Sequence, residues 1–215
     1  MRYTEQKKYF EQAYATGSDI WTRYPYKKRG LGLLHRNSKD SLILDLGSGR
    51  GVWALYLANL GYRVIGVDYI ESAIEKANKV AKEDNLDTKA KFIKADVLDL
   101  PFKDNEFDAA TDFGLMQHLH PSNWSKYTQE VSRVLKSKGY FLKVVFSKET
   151  TNFMGFNPKK SDTGQFEKYG IHYYFFEKEE IVNLFVHDFE LVEQNIEVLA
   201  DKNMPILIST LFKKR

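Results

Sequence analysis

Short, continuous apolar runs alternate along this chain with stretches whose apolar residues recur every three or four positions. The first kind reads as strand buried on both faces, the second as amphipathic helix. The pattern predicts strands at about 41–46, 62–68, Ala90–Ala95, Phe107–Asp112 and Tyr140–Phe146. Helices fall between them at about 51–60, Ile70–Lys82 and Trp124–Leu135. Ile70, Ala73, Ile74, Ala77 and Val80 share one face of the second helix, and Tyr127, Val131, Val134 and Leu135 turn inward on the third. Gly61 suits a helix C-terminus, and Lys103–Glu106 and Ser137–Gly139 read as turns. After Phe146 the alternation stops. Ser147 to Gly170 reads as a long loop punctuated by Asn152, Gly155, Pro158 and Gly164. Loops of that length inside a compact domain are usually functional, and a cover on the substrate side is expected. A helix from about Glu177 to Val186 follows, then two runs, Phe189–Val198 and Met204–Phe212, that read as an antiparallel strand pair.

Residues 1 to about 38 precede the first strand. Tyr9, Phe10, Ala13 and Tyr14 fall at helical spacing, and Gly17-Ser18-Asp19 breaks the helix. The segment Ile20 to Tyr26 is dense in aromatics, and Pro25 holds Tyr24 in extended backbone. These rings either cap the core or lie over a ligand as a lid that excludes water.

The chemistry concentrates where the first strand ends. Leu42-Ile43-Leu44-Asp45-Leu46 runs into Gly47-Ser48-Gly49-Arg50-Gly51, with a helix directly after. Glycines there let a ligand approach the backbone, and the helix start offers unpaired N–H groups. The second strand ends in Asp68, placed to accept both hydroxyls of a ribose. A dinucleotide fold wants G-x-G-x-x-G, but its third glycine position is Val52 here, so the turn is G-x-G-x-G. In an open parallel sheet, ligands bind beyond the carboxyl ends of the strands, so Asp112-Phe113-Gly114-Leu115-Met116-Gln117-His118 should face the reacting groups.

Composition narrows the class only modestly. The 215 residues suit one domain, 1–215, with a real core. The chain has no cysteine, hence no disulfide, thiolate metal site or cysteine nucleophile, which fits a cytoplasmic location. No run approaches the roughly 18 apolar residues of a membrane span, and the N-terminus has no apolar signal core. A net charge of +3 is too mild to imply nucleic acid. Lys27-Lys28-Arg29 and Lys213-Lys214-Arg215 are either solvated surface or phosphate contacts.

The glycine turn, its apolar-Asp-apolar lead-in, the strand-end acids Asp68 and Asp96 and the later Leu100-Pro101-Phe102 and Phe107-Asp108 together resemble the class I S-adenosylmethionine-dependent methyltransferases. The resemblance implies an α/β fold: a doubly wound, mostly parallel seven-stranded sheet with helices on both faces and the last strand antiparallel. Residues 39–146 would be the cofactor-binding core, 1–38 the lid, 147–170 the loop and 171–215 the closing helix and strand pair. S-adenosylmethionine would be the cofactor. Asp45, Gly47, Ser48, Gly49 and Gly51 would shape the pocket for its methionyl part. Asp68 would hold the ribose with Tyr69 beside it, Asp96 and Val97 would frame the adenine, and Asp112 would lie by the methionyl amine. The Asp112–Leu115 turn and the aromatic N-terminal segment look most like the thiopurine and tellurite type of small-molecule methyltransferase, of whose tryptophan motif only Trp21 to Pro25 is present. No Asn-Pro-Pro-Tyr type motif follows the fourth strand, and no RNA-binding domain is appended.

Methyl transfer from a sulfonium needs positioning and a dry site, with a base only for acceptors that must lose a proton. His118 is the candidate base by position, against the plain alternative that it satisfies a loop hydrogen bond; His120, before Pro121, reads as a turn residue. His172 is a third candidate from the opposite rim. Two histidines two apart without cysteine make a poor metal site. Arg23 or Arg50 would pair a carboxylate. Trp21, Tyr24, Phe113 and Met116 line an apolar substrate pocket or belong to the core. The expected function is methyl transfer to a small molecule. Transfer to RNA or a protein side chain, a non-catalytic cofactor-binding module and a nicotinamide-dependent oxidoreductase are the alternatives.

Overall fold

The computed structural model describes residues 3–19, 21, 33, 35–199, 201 and 203–215. Arg23, Tyr24, Tyr26 and the Lys27-Lys28-Arg29 cluster lie outside them.

Five parallel strands form most of one sheet: β1 Leu42–Leu46, β2 Arg63–Asp68, β3 Ala90–Lys94, β4 Phe107–Phe113 and β5 Leu135–Phe146. The small β6 Gln165–Lys168 and β7 Ile171–Tyr174 make a separate hairpin, and β8 Phe189–Glu197 and β9 Leu207–Lys214 close the main sheet. The order across the sheet is β3-β2-β1-β4-β5-β9-β8. β9 runs antiparallel to both neighbours, so the last strand alone is reversed, as the resemblance implied.

Period-two alternation divides the core between the two faces. Ile43, Val64, Phe92, Ala109 and Leu142 pack with Trp53, Leu57 and Ile74 from α2 Val52–Asn59 and α3 Glu71–Glu83. Leu44, Val67, Phe107, Ala110 and Phe141 face the other way, against Tyr127 and Val131 of α4 Trp124–Val134 and Ile181 and Phe185 of α5 Lys178–Phe185. A further helix, α1 Thr4–Thr16, ends at a left-handed Gly17 and lies over α3 and β7 rather than on the sheet.

Three expectations change. On α3 the buried stripe passes through Ala81, not Val80, which is 37% exposed, because the i+4 row from Ala73 and Ala77 carries the contact. Ser137–Gly139 is not a turn ahead of β5. The strand assignment continues through it, with Lys138 left-handed (φ 66°) at a register irregularity in which residues 136–139 stand opposite Asp108 alone. The stretch 147–170 is not loop throughout. Gln165–Lys168 pairs with Ile171–Tyr174 across Tyr169 and Gly170, both at positive φ, the geometry of a tight hairpin turn. No helix among the described residues is long and apolar enough to cross a membrane.

Candidate active site

A cavity of about 280 Å³ opens at the carboxyl ends of β1 to β5, where an open parallel sheet leaves room for a ligand. Asp45, Gly47, Ser48, Gly49 and Arg50 of the β1 turn line it, as do Asp68, Tyr69 and Ile70 after β2 and Ala95 to Leu98 after β3. Phe113, Gly114, Leu115 and His118 line it after β4, and Val144 to Phe146 at the end of β5.

The turn and Asp68 are built as one unit. The Gly49 N–H donates to Asp68 Oδ2 and the Ile70 N–H to Oδ1, each at 2.9 Å. These bonds hold the carboxylate at the cavity wall with both oxygens oriented. Burial nevertheless raises the Asp68 carboxyl to about 6 against those two donors. Asp45, buried at the end of β1, accepts from the Thr111 hydroxyl at 2.8 Å. Burial raises it to about 7, and the charges of Asp112 and Asp68 push the same way. No cation appears among the groups that shift either carboxyl. Asp96, exposed beyond β3, accepts from the Leu98 N–H at 2.9 Å and so shapes the 96–98 turn beside Val97.

Three sequence-predicted positions lie elsewhere. Asp112 is fully buried behind the wall: it pairs with Lys143, accepts from Tyr127 at 2.5 Å and from the Leu115 N–H at 2.8 Å, and does not line the cavity. The cross-strand register puts Lys143 of β5 directly opposite it. Burial lowers the Lys143 ammonium from its ordinary range, and the adjacent Asp112 carboxylate opposes that shift. Gly51 also stands off the cavity. A β-carbon there would lie 2.5 Å from the Phe92 ring, so this glycine serves the packing of the α2 N-terminus on β3. Met116 is wholly buried with the α4-side core, because the 3-10 turn Met116–His118 rotates it inward and leaves His118 at the cavity.

His118 is anchored on one side only. Its Nδ1 lies 2.8 Å from the His172 carbonyl, which accepts, so Nδ1 carries the proton and Nε2 is the acceptor. Burial pushes the ring down to about 4, keeping it neutral. His120 is a turn residue, accepting from the Ser122 N–H. His172 lies outside the cavity wall, with its backbone amide donating to Gln6 Oε1 at 3.3 Å. Arg50 pairs with Asp19 at 2.8 Å, tying the N-terminal segment to the glycine turn.

Trp21 and Phe113 are on the wall, joined by residues of the 1–38 segment that the sequence analysis did not single out for it: Tyr3, Gln6, Tyr9, Phe10 and Tyr14 from α1 and its approach. The amphipathic spacing of α1 marked it as packed, but not on what. The Gln6 side chain bridges two other segments, donating to the His118 carbonyl at 3.2 Å and accepting from the His172 N–H. Phe153, Met154 and Tyr173 add a further wall from the 147–174 region.

Residues 43–139 match the model of a family described as a methyltransferase domain. Human EEF1A lysine methyltransferase 2 is 33% identical over 115 residues, which is 50% of this chain and 48% of that protein. Demethylmenaquinone methyltransferase of Clavibacter sepedonicus is 37% identical over 106 residues, covering 49% and 41%. The chain thus spans about half or less of the length of these relatives. Among solved structures, 1,6-didemethyltoxoflavin-N1-methyltransferase of Burkholderia thailandensis, with 1,6-didemethyltoxoflavin and S-adenosylhomocysteine bound, superposes with a TM-score of 0.79 at 23% identity, over 97% of this chain and 87% of that one. The matched segment holds the glycine turn with Asp45, Asp68, Asp96 and Asp112, and the sheet order extends the likeness to the last strand: over residues 43–139 the chain is similar to a methyltransferase domain, and the chain as a whole shares the fold of the Burkholderia thailandensis enzyme.

Proposed function

We propose that the protein is an enzyme that transfers the methyl group of S-adenosylmethionine to a small-molecule acceptor. The observation that carries this reading is the pair of buried carboxylates, Asp45 and Asp68, at the cavity wall, raised by burial with no cation among the groups that shift them, since the wall's Arg50 pairs with Asp19. Buried charges call for a partner. A ligand bearing an ammonium and a sulfonium supplies one, whereas the diphosphate of a nicotinamide dinucleotide would meet like charge. The residues present fit the cofactor. Asp45, and not Asp112, offers a carboxylate to the methionyl amine. Gly47, Ser48 and Gly49 bound the methionyl part, Asp68 accepts from the ribose hydroxyls, and Asp96, Val97 and Leu98 flank the adenine. When bound, the cofactor supplies an activated methyl group for in-line displacement.

The protein's own part is to place and desolvate the acceptor. α1 and Trp21 cover the cavity as a lid. Phe113, Gly114 and Leu115 shape the wall beside the transferring methyl. His118 Nε2 receives a proton from acceptors that must lose one.

Relatives act on different acceptors by their names, a protein lysine in one and a demethylmenaquinone in another. The lysine methyltransferase likeness supports a second reading, transfer to a protein side chain. The basic surface that RNA would need is poorly supported: Lys159 pairs with Glu149 at 2.7 Å, and Lys214 is taken up by the Ser132 and Leu135 carbonyls at 2.6 and 2.7 Å.

Calorimetric titration with S-adenosylmethionine and, separately, NAD tests the cofactor. Micromolar binding of the first and none of the second is expected. Formation of S-adenosylhomocysteine in the presence of an acceptor set then separates an enzyme from a binding module.

A further inference from the structure

The cavity has two chemically distinct ends. Its formally charged wall residues, Asp45, Arg50, Asp68 and Asp96, all sit on the turns after β1, β2 and β3. The end beyond β4 and β5 is walled instead by Phe10, Phe146, Phe153, Met154 and Tyr173 around His118. The rings meet edge to face. Phe10 and Tyr173 stand 5.5 and 5.1 Å from the His118 ring at 72° and 77°, and Phe146 and Phe153 are 5.2 Å apart at 62°. Behind this wall the charges of Asp112 and Lys143 are paired with each other.

Within that apolar end the His118 ring offers a polar atom, and Gln117 Oε1, also on the wall, is buried without a hydrogen-bond partner. His118 Nδ1 is committed to the His172 carbonyl, so its Nε2 is an acceptor with no partner among the described residues. We propose, building on the methyl-transfer reading, that this end is the acceptor subsite, and that it takes an uncharged, planar aromatic or heteroaromatic compound with one N–H, O–H or S–H directed to His118 Nε2.

Three arguments support the class. A carboxylate, phosphate or alkylammonium would be desolvated there with no counter-charge, at a cost of several kcal/mol. An aromatic guest gains edge and face contacts with the existing rings, about 0.5–1.5 kcal/mol for each good pair, which a saturated one forgoes. With Nδ1 committed to the His172 carbonyl, the Nε2 lone pair favours a guest that brings a donor, such as a heteroaromatic N–H, a phenol or a thiol. In the step, the acceptor heteroatom bonds to the methyl carbon as the carbon–sulfur bond breaks onto sulfur. The acceptor's proton passes to His118 Nε2 and from there to solvent.

Four probes related in size test this: naphthol, naphthoate, naphthylmethylammonium and decahydronaphthol. Each is titrated into the full-length protein saturated with S-adenosylhomocysteine. Naphthol should bind at least about tenfold more tightly than each of the others, a difference of about 1.4 kcal/mol. The His118→Leu variant should weaken naphthol by about tenfold and leave S-adenosylhomocysteine affinity unchanged. Equal or tighter binding of either charged probe, or of decahydronaphthol, overturns the proposal. So does loss of S-adenosylhomocysteine affinity in His118→Leu, which would make His118 structural. Failure of S-adenosylhomocysteine to bind the parent protein instead overturns the methyl-transfer reading beneath it.

Discussion

The hydroxyl of Tyr14 rests on the glycine turn at Gly49, where a β-carbon would lie 2.6 Å from the phenolic oxygen. Gly49 itself is left-handed (φ 52°) and donates its N–H to Asp68. One residue therefore joins the docked helix, the turn and the Asp68 carboxylate. Gly49→Ala should lower S-adenosylhomocysteine affinity by more than about tenfold, because it strains the turn and pushes on Tyr14 at once. Removing the hydroxyl in a Tyr14→Phe, Gly49→Ala double variant should recover about 1 kcal/mol of stability relative to Gly49→Ala alone. Urea melts of the four proteins of the cycle measure the coupling, and strict additivity would refute the contact.

Asp68 should make cofactor affinity pH-dependent. Its carboxyl is raised to about 6, so it is ionised above that pH and protonated below it. S-adenosylhomocysteine affinity should fall by about tenfold between pH 7 and pH 5. An Asp68→Asn variant should bind weakly at both values. A parent protein whose affinity is flat over this range would remove Asp68 from the ribose site.

Asp45 should affect stability in the opposite sense to an ordinary paired carboxylate. Its folded value is about 7 against 3.8 for the free group, so the charged form is disfavoured in the fold. That penalty is complete above about pH 7, shrinks as pH falls and is gone below about pH 4. Asp45→Asn keeps an acceptor for Thr111 and should be more stable than the parent at pH 8, by about 1–3 kcal/mol. The gap should close by pH 4. Thermal melts at the two pH values check it.

The Asp112–Lys143 pair predicts strong non-additivity. Both side chains are 0% exposed. Lys143→Met leaves a carboxylate buried beside Tyr127 and the Leu115 amide, and should cost about 3–5 kcal/mol. Asp112→Leu alone strands the ammonium with similar effect. The double variant should lose less than either single one, as read by denaturant unfolding.

Deleting residues 1–19 should leave a cooperatively folding sheet, because the two large core clusters draw no buried residue from α1. Turnover should drop by at least about 100-fold as water enters the site. Loss of the cooperative melting transition would instead make α1 part of the core.

What was legible in the sequence was local. That Gly47, Gly49, Asp68 and Asp96 line one cavity was readable because a turn and a strand tip are each contained within a few residues. That Asp112 is buried off the cavity wall was not readable, because its partner is a register fact: Lys143 stands opposite it only once β4 and β5 pair. A lysine inside the apolar run Tyr140–Phe146 was the available signal. The β6–β7 hairpin hid behind Tyr169-Gly170, a turn pair without the usual asparagine or aspartate. Phe10, Phe153 and Tyr173 meet at one wall from three distant segments, and no periodicity reports such a meeting.

Gln6 bridges His118 and His172, 112 and 166 residues away along the chain. During synthesis α1 therefore leaves the ribosome long before it can dock, since its seat is not complete until β7 has emerged. Until then the carboxylates that would receive the cofactor stand open to water.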